Sequence, residues 1–155
     1  MRLLGGKKIM SKTTNILALM VKDHCKIENL INDLEDKTKK DFDSMVKSFN
    51  KFEWELEKHI FTEEKAIFTS YKPENVIEGY KMLPELTKQH NFIINTLNNW
   101  RKDILKKNKL TNVYSFKEFL MKHKNYEEKD VYPKLDQALN EEEKRYIIEK
   151  INEII

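Results

Sequence analysis

Two ten-residue segments of this sequence carry the same chemistry: residues 59–68, "HIFTEEKAIF", and residues 123–132, "HKNYEEKDVY", share the pattern His-x3-Glu-Glu-Lys-x-(Ile/Val)-(Phe/Tyr). On a helix, a spacing of four places the histidine and the first glutamate on one face, about 6 Å apart along the axis, so both side chains can reach toward one site. Imidazole nitrogens with carboxylate oxygens form a donor set suited to iron, manganese or zinc. The chain has two other histidines, His24 and His90. The candidate metal ligands are therefore His24, His59, Glu63, His90, His123 and Glu127.

The elements that must position them are legible as stripes of apolar residues at steps of three and four, the period of a helix face turned to a core. The first, in about residues 14–34, reads Leu17, Met20, His24, Ile27, Ile31 and Leu34. The second, in about 42–68, reads Phe42, Met45, Phe49, Phe52, Leu56, His59 and Glu63, and ends near Pro73. A third has Leu83, Leu86, His90, Ile93, Leu97, Trp100 and Ile104, with Pro84 marking a kink or a restart after a lead-in from Glu74. The fourth, in about 113–138, has Phe116, Leu120, His123 and Glu127, with Pro133 bending or ending it. A shorter last helix should start at Asn140, where Glu143 three residues on completes a capping box. Every histidine thus sits on a core stripe, one per long helix. The expected fold is all-α, an up-down-up-down four-helix bundle with a short C-terminal fifth helix. Residues 1–12 are expected to be a disordered tail, with translation starting at Met10, and 13–155 one bundle domain.

Composition bounds the function. Its 29 basic and 26 acidic residues nearly cancel and are interspersed, and only Arg2, Arg101 and Arg145 are arginines, which argues against a nucleic-acid partner. No apolar run approaches the roughly 18 residues a membrane span needs, and "MRLLGGKKIMSKTT" lacks the apolar centre of a signal peptide. One cysteine, Cys25, excludes an internal disulfide and suits a reducing cytoplasm; lying off the stripe, it reads as a buried, inert thiol. Trp54, Trp100, Tyr126 and Tyr132 read most simply as packing residues, the alternative being a tyrosine near the metals that donates a hydrogen bond to an oxygen ligand. Glu64 and Glu128, one position past the stripe glutamates, read as surface residues or as acceptors for a ligand imidazole N–H.

Two ionised carboxylates inside a helical core would each cost several kcal/mol without compensation, against a total stability of roughly 5 to 15 kcal/mol. A bound cation supplies the compensation. Since each carboxylate has two oxygens, Glu63 and Glu127 can each bridge two ions, with two histidines on each ion.

A lone histidine on the first and third helices, with His-x3-Glu on the second and fourth, resembles the hemerythrin-like (HHE cation-binding) family across about residues 14–138. The resemblance implies two iron ions, oxo- or hydroxo-bridged and carboxylate-bridged, that bind dioxygen or nitric oxide for sensing, storage or delivery. The oxygen carriers of the family have a second histidine four residues after the third-helix ligand. Here that residue is Ile94, which makes the four-His, two-Glu set similar to members linked to nitric-oxide response and iron-centre repair. The alternative this raises is an enzyme or repair protein that reduces peroxide or nitric oxide, or donates iron. Glu28, four residues after His24, is a candidate to fill the open position, against the plainer reading of an exposed glutamate paired with a lysine.

Overall fold

The computed structural model describes residues 15–70 and 77–155, and all of the regular structure among them is helical. The expected tail, the Met10 start, Pro73 and the Glu74 lead-in lie outside the described residues. Helix α1 spans Ile16–Lys37, α2 Phe42–Thr62, α3 Ile77–Leu105, α4 Val113–Tyr126, α5 Tyr132–Ala138 and α6 Glu141–Ile154. Three of the starts are fixed by side chains that satisfy the first free N–H groups. Asn15 accepts from Ala18 N, Asp41 accepts from Ser44 N, and Asn140 with Glu143 forms the expected capping box. Asp136 of α5 adds a second cap to α1, accepting from Ile16 N and Leu17 N at 3.3 and 3.4 Å.

Between α2 and the short 3-10 turn Phe68–Ser70 lies a π-helical turn, Glu63–Ile67, and an equivalent one, Glu127–Val131, joins α4 to α5. In each, an N–H reaches back five residues: Phe68 to the Glu63 carbonyl and Tyr132 to the Glu127 carbonyl. Both wide turns begin at the first glutamate of the repeated motif, so the sequence repeat is also a repeat of backbone geometry. Pro133 sits in the first turn of α5, where its missing N–H costs no helical bond. Pro84 does not restart α3; the helix runs through it.

The core is in two parts, and their membership gives the topology. One part combines Ile27, Ile31 and Leu34 from late α1 with Phe49 and Phe52 from α2, Ile93 and Leu97 from late α3, and Phe116 and Leu120 from α4. The other combines Ile16 and Met20 from the start of α1, Ile67 after α2, Leu86 from early α3, Tyr132 and Leu135 after α4, and Ile147 and Ile151 of α6. Late α1 and α3 therefore lie beside early α2 and α4, which is the up-down-up-down arrangement, with α6 closing the end away from the α1–α2 loop. Lys109 ties the loops at the opposite end together, donating to the carbonyls of Thr38 and Lys40. The layer separating the two halves of the core is made of histidines and glutamates.

Candidate metal centre

His24, His59, Glu63, His90, His123 and Glu127 are all buried and all meet in that layer. They fall into two groups that share both glutamates: His24, His59, Glu63 and Glu127 in one, and Glu63, His90, His123 and Glu127 in the other, the ligand atoms of each lying within 4.8 Å of one another. Each carboxylate divides its oxygens between the groups. Glu63 Oε2 is 3.4 Å from His59 Nε2 and its Oε1 is 2.9 Å from His90 Nε2. Glu127 Oε1 is 3.0 Å from His24 Nε2 and its Oε2 is 3.1 Å from His123 Nε2.

The outer nitrogen of every imidazole is held by a side chain. His24 Nδ1 pairs with Glu128 at 2.7 Å, His59 Nδ1 with Asp23 at 2.7 Å, His90 Nδ1 with Glu64 at 2.9 Å and His123 Nδ1 with Gln89 at 2.6 Å. The four contacts form a closed ring: α1 serves α2, the turn after α2 serves α3, α3 serves the histidine of α4, and the turn after α4 serves α1. Each acceptor is the residue next to a candidate ligand in sequence. With each Nδ1 paired outward, each Nε2 faces the centre, the arrangement that orients metal-binding histidines.

The donor geometry fits a metal better than it fits hydrogen bonding. Glu63 Oε1, His90 Nε2, His123 Nε2 and Glu127 Oε2 are buried yet make no hydrogen bond, although His90 Nε2 and Glu63 Oε1 stand only 2.9 Å apart. Close approach without a bonding angle means the lone pairs converge on a common point. His24 Nε2 and His59 Nε2 lie 3.1 Å apart; donors each about 2.1 Å from one ion and at right angles stand roughly 3 Å apart. In the metal-free protein, protons take the place of the cation. Burial works against protonated His90, but Glu127, Glu63 and Glu64 outweigh it and push it up to about 10. His59 is likewise raised by Glu63, Asp23 and Glu127 against its burial. Burial would raise Glu127, and the surrounding histidines hold it well below the usual carboxylate range instead.

For nearby residues the structure decides between some readings and corrects others. Glu28 joins neither group; it lies at the flank, with Lys124 Nζ 3.4 Å from its Oε1. Glu64 and Glu128 take the second of their two expected roles, as imidazole acceptors. Cys25 is exposed, not buried. Trp54 is 66% exposed and packs in no core cluster, because it lies off the stripe between Phe52 and Leu56. Trp100 packs as expected. Tyr132 does more than pack: its ring lies against His24, at 6.0 Å and 26°, and its hydroxyl donates to Glu63 Oε2. The signal was in the repeat, where the equivalent residue is Phe68, whose ring lies against His90 at 6.1 Å and 22°. Asp23 and Gln89, absent from the sequence-based set, are detectable only by their positions immediately before His24 and His90.

Fold and centre together define a four-helix bundle with a buried histidine–carboxylate site that fits metal. Residues 15–135 match the family model described as the hemerythrin HHE cation-binding domain, and the chain belongs to that family. It is 27% identical over 135 residues to an uncharacterised hemerythrin-like protein of Schizosaccharomyces pombe, covering 85% of this chain and 64% of that relative. The chain thus spans less than two thirds of the length of that relative. No solved structure matches it.

Proposed function

We propose that the chain holds two iron ions, one through His24 and His59, the other through His90 and His123, both bridged by Glu63 and Glu127, and that this pair binds dioxygen or nitric oxide for sensing, storage or delivery. Iron in such a site supplies open coordination positions and accessible redox states; the protein supplies orientation and a dry environment. The observation that carries the reading is a cavity of about 20 Å³ against the histidines, walled by the apolar Ile27, Leu56, Ile60, Ile93, Leu120 and Met121 and by Lys124, with His24, His59 and His123 exposed to it. That is room for one water-sized or diatomic molecule, and the apolar wall favours a neutral one. The cavity lies on the side away from the glutamates, since Glu63 and Glu127 follow their histidines while Leu56 and Leu120 precede them. The Asp23, Glu64, Gln89 and Glu128 contacts lock the imidazoles, so ligand entry need not reorganise them.

A second reading, an enzyme or an iron donor, is favoured by Ile94. It packs partly buried against the core where the family's oxygen carriers place a further histidine. Optical spectra of the iron-loaded protein under argon, air and nitric oxide separate the readings. A carrier or sensor gives a spectrum that argon reverses; irreversible oxidation in air points to the enzyme, and no change under either gas removes the carrier or sensor. We place the protein in the cytoplasm on the strength of its single thiol, which cell fractionation tests.

A further inference from the structure

We propose that the two metal positions are held unequally, that the His90/His123 position is the one that exchanges its ion first, and that Gln89 sets this difference. The inference rests on the two-ion reading above and concerns which ion is labile. The ring of outer contacts has the symmetry of the sequence repeat, pairing α1 with α3 and α2 with α4. Glu64 and Glu128 occupy equivalent places and both are carboxylates. Asp23 and Gln89 also occupy equivalent places, each immediately before a ligand histidine and each serving the histidine of the next helix, but one is charged and the other is not.

The His24/His59 position is therefore backed by two carboxylates, and the His90/His123 position by one carboxylate and a neutral amide. An imidazole that gives its outer N–H to a carboxylate becomes a better electron donor to a metal, and the extra negative charge favours a cation nearby. Solvent screening acts in the same direction. The Asp23 and Glu128 side chains are 4% and 22% exposed, whereas that of Glu64, the single carboxylate behind the other position, is 44% exposed. Three groups oppose the trend. Glu85 Oε2 accepts from Gln89 Nε2 at 3.0 Å and polarises the amide, but this contact is exposed and its charge is one residue further from His123 than the buried Asp23 charge is from His59. Tyr132 donates to Glu63 Oε2, the oxygen on the His24/His59 side, while Phe68 in the equivalent place offers no hydroxyl. Lys26 lies 3.6 Å from Asp23, but it is partly solvated and shared with Glu55 at 2.9 Å. A neutral hydroxyl on one oxygen and a divided, screened ammonium are weaker than the whole buried charge that Asp23 contributes and Gln89 does not.

The test is iron removal from the fully loaded ferrous protein under argon by an excess of a chromogenic ferrous chelator. Two phases of equal amplitude are expected, with rates about tenfold or more apart, the range over which outer partners tune metal sites. Gln89→Glu should slow the fast phase toward the slow one, and Asp23→Asn should speed the slow phase toward the fast one. Circular dichroism and iron content identify any variant that has failed to fold, and the other variant then decides. Release of both ions at one rate from the unsubstituted protein, or two phases that a folded Gln89→Glu or Asp23→Asn variant leaves unchanged, overturns the inference. Fewer than two ions per chain before chelation would instead sink the two-ion reading beneath it.

Discussion

Glu63 and Glu127 have no exposed surface at all, and an ionised carboxylate in that condition needs positive charge or hydrogen-bond donors against it. What each touches is four imidazole nitrogens between them and, for Glu63, one phenol. With both oxygens of each carboxylate committed to different histidine pairs, neither glutamate can be removed without opening both positions. We predict that Glu63→Ala lowers metal content from two ions to below one per chain and reduces the melting temperature of the metal-loaded protein to that of the stripped protein, since the ions stabilise by mass action. Elemental analysis with thermal melting checks this, and a variant that kept both ions would remove Glu63 from its bridging role. Tyr132 belongs to the same scale. A packing residue by its ring, it also holds one oxygen of Glu63 through its hydroxyl, which the equivalent Phe68 lacks.

The helices were legible from their stripes because burial has a period that sequence displays directly. Met20, His24, Ile27, Ile31 and Leu34 repeat at the helical step, and all are buried on α1. The two candidate ligand groups were legible for the same reason: a polar residue on a core stripe stands out against its neighbours. The π turns were not. "EEKAI" and "EEKDV" have the composition of ordinary helix, and only the hydrogen bonds from Phe68 to Glu63 and from Tyr132 to Glu127 reveal the extra residue. Both π turns begin at these glutamate pairs, with Glu63 and Glu127 at the centre and Glu64 and Glu128 on the outer nitrogens of adjacent helices. Of the two readings of Pro84, kink or restart, the restart is excluded because α3 runs through it. Cys25 and Trp54 show the limit of reading residue type over position: both are types usually buried, and both lie one or two residues off their stripe in solvent.

At the level of the whole molecule, the bundle is two apolar halves joined through a polar layer, so the state of that layer governs stability. In the metal-free protein His90, raised from 6.5 to about 10, contributes stability that is complete below pH 6.5 and lost as pH rises through about 10. Glu127, lowered from 4.5, contributes stability present above pH 4.5 and lost as pH falls through its depressed value. The stripped protein should therefore melt highest between about pH 4.5 and 6.5 and progressively lower toward pH 10. A melting temperature flat from pH 6.5 to 10 would contradict that balance of charges. Metal displaces the inner imidazole protons, so uptake should release protons and weaken in acid. No described helix is long and apolar enough to cross a membrane, and the charged surface is spread over both signs. The chemistry that distinguishes this chain is concentrated in six buried side chains. The most direct test of the account is the metal content of the natively expressed protein, measured per chain after removal of loosely bound ions: the account predicts two, with iron predominant, and a value below one would contradict it.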